Sequence, residues 1–129
     1  MPTQNILRWA GILGFLAVAL GAFGAHGLKP TLLANQTLDI WEKAVHYHFF
    51  HTLAILALAN WVCLAQKIIV WSFVGGILLF SGSLYLLAFT NIKWLGAITP
   101  LGGLLFLAGW GCLFFYSGRI SGDKGCVNE

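Results

Sequence analysis

Residues 68–89 read IIVWSFVGGILLFSGSLYLLAF, and nothing in that stretch carries a charge. A helix of this length crosses about 30 Å of bilayer hydrocarbon. Apolar and polar residues do not alternate along it, which sets aside a membrane β-strand. Similar runs surround it, giving spans at about 6–26, 44–65, 68–89 and 95–116. The pattern predicts an all-α membrane protein, a compact four-transmembrane-helix bundle. Residues 1–129 form a single membrane domain that closes on a polar C-terminal tail at 117–129.

Composition leads to the same solvent. Hydrophobic residues make up 59% of the chain and charged residues 9%, with a mean hydropathy of +0.84. A soluble domain carries roughly 25% charged residues to cover its surface. The net charge of +3 is scattered and forms no basic face, so nucleic acid is not expected as a partner. Cys63, Cys112 and Cys126 are odd in number, distant in sequence and outside any C-x-x-C spacing. Neither a disulfide framework nor a zinc site is indicated.

The breaks between spans are read from helix stop signals. Lys29-Pro30 closes the first span, because Pro cannot continue a helix. Gln66-Lys67 reads as a tight turn between the second and third spans, and Asn91-Ile92-Lys93 separates the last two. Between helices 1 and 2, a short interfacial segment is expected over 27–43. There Thr37 is placed to N-cap a helix with Asp39 and Glu42 in its first turns, where negative charge suits the helix dipole. The first run also resembles a cleavable signal peptide, with Arg8 as its charged start and Ala22-Phe23-Gly24 as a small-x-small site. Its length and its glycines favour a retained span.

Tryptophans mark the two membrane faces, Trp9, Trp61, Trp71 and Trp110 toward one and Trp41 and Trp94 toward the other. Four crossings put both termini on one side with Arg8, Lys67, Arg119 and Lys124, against Lys29, Lys43 and Lys93 opposite. The bias points to termini on the cytoplasmic side of the membrane. Small residues four apart, such as Ala10 with Gly14, Ser72 with Gly76, and Thr99 with Gly103, read as packing seams. Gly102, Gly109 and Gly111 add further small positions.

Polar side chains are costly in a bilayer, so their positions carry information. The topology gathers His26, Tyr47, His48, His51, Tyr85 and Thr99 toward one end of the bundle. His48 and His51 are three apart and share a helix face. Three roles are open to the cluster. The histidines can hydrogen-bond across helices, form a small-ligand or proton-linked site, or, as His26, His48 and His51, ligate a metal or haem. No Cys, Asp or Glu is placed to complete a metal shell, and no cofactor is expected.

Gly21-Ala22-Phe23-Gly24-Ala25-His26-Gly27-Leu28 at the end of the first span, Tyr47-His48-Phe49-Phe50-His51-Thr52-Leu53-Ala54, Ser81-Gly82-Ser83-Leu84-Tyr85-Leu86 and Thr99-Pro100-Leu101-Gly102-Gly103, followed by Phe106 and Gly109-Trp110, form four motifs in order. Together they resemble the YgdD/YwdK-like family of small bacterial inner-membrane proteins, a domain of unknown function. The resemblance covers nearly the whole chain and implies a multi-pass membrane protein with no assigned activity. His48 departs from the pattern, standing where the family often has Gln, whereas His26 and His51 match it.

A structural or accessory membrane component is the expected function. Its partners are the lipid bilayer and further copies of itself or a larger membrane complex. A small oligomeric transporter or channel is an alternative, although no Asp or Glu falls within a span. A His-ligated metal or haem protein is another. No catalytic constellation is recognisable, so an enzyme is not expected.

Overall fold

The computed structural model describes residues 1–117 and 126–127, with backbone alone considered at 62–64, 117, 126 and 127. Six α-helices lie among them: α1 (Thr3–Ala25), α2 (Lys29–Ala34), α3 (Leu38–Ala57), α4 (Leu64–Gly76), α5 (Gly82–Thr90) and α6 (Thr99–Ser117). A π-helical segment, Ile77–Ser81, joins α4 to α5 without a break in the rod. Short 3-10 turns at Leu58–Asn60 and Lys93–Ala97 follow α3 and precede α6. The backbone of Val62–Cys63 (β1) pairs antiparallel with Cys126–Val127 (β2), Cys63 in register with Cys126. The rest of the polar tail expected at 117–129 falls outside the described residues.

Among the described residues, three helical rods are long and apolar enough to cross a membrane: Thr3–Ala25, Ala65–Thr90 and Lys93–Tyr116. The second expected span is different. Its helix, α3, begins at Leu38 and ends at Ala57, so its first turns carry Asp39, Glu42 and Lys43. The turn after it comes at 58–63, earlier than Gln66-Lys67. Gln66 is not a turn residue but lies inside α4, 1% exposed. Its amide donates to the Leu58 carbonyl at 2.8 Å, and its Oε1 accepts from the Met1 ammonium at 3.4 Å. That carbonyl also accepts from the Trp61 N–H at 3.1 Å, so Gln66 adds a second donor at the end of the 3-10 turn.

Two other boundary expectations change. Helix α1 stops at Ala25, before Lys29-Pro30, and Pro30 instead opens α2. Proline suits a first helical turn because its missing N–H would have no partner there. Thr37 does stand at the start of α3 but makes no side-chain cap. Its hydroxyl donates to the Ala88 carbonyl at 2.7 Å, and Asn35 reaches the Ala88 and Phe89 carbonyls at 3.2 and 3.1 Å. The α2–α3 connection is thereby tied to the end of α5. Asn91 closes α5 as expected, in a left-handed conformation with φ 58°.

Packing follows the glycines. Helices α1 and α3 lie against one another, as do α4 and α6. A Cβ at Gly24 would run into the Trp41 ring, and one at Gly76 into Phe106. A Cβ at Gly109 would stand 2.5 Å from Phe73. Gly102 meets backbone, since its added Cβ would fall 2.7 Å from the Phe80 Cα. Aromatic rings on α4 and α6 thus seat reciprocally on glycines of the facing helix. Gly11, Gly82 and Gly111 have open space instead, so the seam does not extend to them. The core built on this contact contains Ile6, Leu13, Ile55, Ile69, Phe73 and Phe106.

The contrast between Gly102 and Gly82 can be measured. Gly102→Ala is expected to cost about 1–3 kcal/mol, because the obstructing atoms are backbone and cannot rotate away. Gly82→Ala should be neutral or stabilising by up to about 1 kcal/mol, since it only removes glycine's conformational freedom. Unfolding of both variants in detergent, followed by circular dichroism, separates them. Equal stability would show that α6 does not rest on Phe80.

Candidate functional site

The polar residues expected to form one cluster are distributed over separate sites. His26 is exposed at the C-terminal end of α1. His48 and His51 are buried at 3% and 7% exposure, but they turn to different neighbours. Three residues of α-helix rotate a side chain to within about 60° of its starting direction, enough here to send the two rings to different helices. Among the described residues no three of His, Cys, Asp and Glu come together in a way that could hold a metal ion. The His26, His48 and His51 set is therefore not assembled.

His51 has a fully determined hydrogen-bond state. Its Nδ1 lies 2.7 Å from the Tyr47 carbonyl, one turn earlier on α3. A carbonyl only accepts, so Nδ1 carries the proton. Its Nε2 lies 3.1 Å from Trp110 Nε1 on α6, and an indole N–H only donates. The neutral ring thus uses its proton and its lone pair, and a metal at Nε2 would have to displace Trp110. The ring is stacked on Phe106 with centroids 3.6 Å apart and 11° between planes. Phe73 meets it edge-on at 5.3 Å.

His48 faces the other way. Its Nδ1 lies 3.2 Å from the Tyr85 hydroxyl on α5. Its Nε2 is buried and has no hydrogen-bond partner among the described residues. The Leu13 backbone of α1 is near, outside good hydrogen-bonding geometry. Tyr85 also packs edge-on against Trp41 at 4.8 Å. Thr99 belongs to a third site. Ser83 spends its single proton on the Phe80 carbonyl at 3.0 Å, leaving Thr99 to donate to Ser83 Oγ at 2.7 Å.

Two tryptophans assigned to the membrane faces make hydrogen bonds within the protein. Trp110 anchors His51, and Trp41, 4% exposed, donates to the Leu20 carbonyl at 2.9 Å. Trp9 and Trp71, by contrast, meet edge-on at 5.6 Å. Ser81 was passed over as a partner for α3. It donates to the Ala44 carbonyl at 2.9 Å from within the π-helical segment. Beside the His51–Trp110 bond lies a mainly apolar groove of about 530 Å³, walled by Tyr47, Phe80, Pro100 and Leu107 among others.

A family model described as a protein of unknown function (DUF423) matches residues 20–103. The UPF0382 inner membrane protein YgdD of Escherichia coli K12 is 43% identical over 135 aligned positions, covering 100% of both chains. The chain belongs to this UPF0382 (DUF423) family. A UPF0382 membrane protein of Staphylococcus saprophyticus is 47% identical over 105 positions, covering 74% of this chain and 81% of the relative. One from Staphylococcus aureus is 42% identical over 117 positions, covering 83% and 89%. No solved structure matches. The DUF423 model runs from the end of α1 to the start of α6 and contains His26, His48, His51, Tyr85 and Thr99, whereas the alignment with the Escherichia coli relative spans the whole chain and so takes in Trp110.

The pairing of His51 with Trp110 has a direct test. In a double-mutant cycle of His51→Ala and Trp110→Phe, the two are expected to couple by roughly 0.6–1.7 kcal/mol, the range for hydrogen bonds between membrane helices. The readout is unfolding free energy in detergent. Strictly additive effects would show that the two rings do not bond.

Proposed function

We propose that the chain is a four-span protein of the bacterial inner membrane that serves as a structural or accessory component, without catalytic or metal chemistry of its own. The fourth crossing is α3. Its charges, Asp39, Glu42 and Lys43, are confined to the first two turns. The polar residues that lower its hydropathy further on, His48, His51 and Thr52, are buried against other helices or bonded to α3 itself. With the 3-10 turn at Leu58–Asn60 the rod is long enough for a bilayer. The short helix α2 then lies at the headgroup level, with its flanking residues Asn35 and Thr37 bound to the end of α5.

One observation supports the accessory role above the others. Among the described residues, His48 Nε2 is the buried side-chain atom without a partner, whereas Thr37, Trp41, Gln66, Ser81 and Trp110 each use a side-chain donor to hold one element to another or to cover a backbone carbonyl. Such groups are worth most where no water competes for them. They stabilise a scaffold and leave no free nucleophile and base side by side. The inner-membrane name of the Escherichia coli relative fits this reading, and both termini are placed in it on the cytoplasmic face.

Purified in mild detergent, the protein is expected to be colourless, free of stoichiometric metal, and to elute with further copies or another membrane protein. Elution as a lone 129-residue chain would overturn the accessory role. A bound metal or haem lost in the His26→Ala, His51→Ala double variant would overturn the reading of the histidines. Reporters fused to the two ends should both be active on the cytoplasmic side, and a C-terminal reporter active only outside would reverse the orientation.

A further inference from the structure

A cavity of about 320 Å³ lies between the end of α1 and the start of α3. Gly21, Gly24 and Ala25 wall it on one side, and Trp41, Glu42 and His46 on the other. Glu42 and His46 are four apart on α3 and therefore share a face. Neither has an ion pair or hydrogen bond to another of the described residues. No Lys or Arg lines the cavity. Trp41 has already given its N–H to the Leu20 carbonyl, so it contributes aromatic surface and no donor. The C-terminal end of α1, a helix of 23 residues, adds the negative pole of its dipole.

A carboxylate, an imidazole, an indole and a helix C-terminus share one electrostatic character. All four favour a cation, and the first two accept hydrogen bonds. A primary ammonium, with one positive charge and three N–H donors, matches that character. We infer that the cavity between α1 and α3 binds the primary ammonium of an ethanolamine headgroup, with Glu42 as its counter-charge and His46 as a second acceptor. The inference rests on the membrane reading, which puts Glu42 and the end of α1 at headgroup depth. It commits to phosphatidylethanolamine as the source of the ammonium, held by its acyl chains in the surrounding bilayer.

The full-length protein in nanodiscs of mixed phosphatidylethanolamine and phosphatidylcholine provides the test, with retained lipid read by native mass spectrometry. The two lipids differ in the N–H donors of the headgroup, so the wild type should retain the ethanolamine lipid over the choline lipid by roughly tenfold, the scale of one charged hydrogen bond. Glu42→Gln should reduce that preference to near unity while its unfolding temperature in pure phosphatidylcholine stays at the wild-type value, because the residue is exposed and unpaired. Glu42→Lys should turn the preference toward phosphatidylglycerol. Equal retention of both lipids by the wild type, or an undiminished preference in Glu42→Gln, overturns the inference. Glu42-dependent binding of free ethanolamine to the lipid-depleted protein, together with equal retention of both lipids in nanodiscs, would overturn the lipid as the source, leaving a soluble amine as the ligand. Extraction of the protein from its native membrane by alkaline carbonate would overturn the membrane reading itself, whereas a carbonate-resistant protein without lipid preference overturns the ammonium site alone.

Discussion

The contact between Gly102 and the backbone of Phe80 is the point on which the other interactions depend. With no side chain at 102, α6 approaches the π-helical segment closely enough for Phe106 to seat on Gly76 and for Phe73 to seat on Gly109. The seated Phe106 offers its face to His51, and α6 at this distance brings Trp110 within bonding reach of the same ring. The π-helical segment does the corresponding work toward α3. It carries Ser81, whose hydroxyl reaches Ala44, and Phe80, whose ring lies 4.5 Å from Tyr47. Hydrogen bonds and ring contacts thus follow from a close approach that only a glycine permits.

Much of the fold was legible in the sequence because uncharged runs of about 20 residues have few alternative readings. The first, third and fourth runs became rods with nearly the expected limits. The second was misplaced for a physical reason. Its start after Thr37 is where the capping pattern puts it, but hydropathy runs on to Ala65, whereas α3 stops at Ala57 and gives way to a 3-10 turn at Leu58–Asn60. Gln66 was misread because a polar residue between apolar runs resembles a turn. Its amide is satisfied by the Leu58 carbonyl at a 3-10 turn that sequence pattern does not reveal. The π-helical segment was equally hidden, since Ile77–Ser81 has nothing in its composition to set it apart from α-helix.

The candidate site was legible by residue type and not by pairing. His48, His51 and Tyr85 were singled out, and all three are polar groups held inside the protein. Their partners depend on rotation about the helix axis, which depth alone does not fix. His26 was grouped with them because helix ends meet, but α1 stops short of Lys29-Pro30 and leaves it exposed. Trp110 was missed because an indole near a helix end is normally read as a membrane anchor. The signal that could have found it was its spacing from Phe106 and Gly109, one turn and one residue away on the helix whose glycines marked the seam.

The π-helical segment between α4 and α5 also has a consequence for how chain length can vary in this protein. A π-turn is an α-helix that has taken in one additional residue. Removing a residue from Ile77–Ser81 would restore regular α-helical bonding and cost little locally. It would also rotate every residue beyond it by about 100° about the rod axis. Tyr85 would swing away from His48, and the Ala88 carbonyl away from Thr37 and Asn35, although none of those residues had changed. The extra residue acts as a phase shifter, letting one continuous rod present one set of faces to α6 below it and a differently phased set to α3 above.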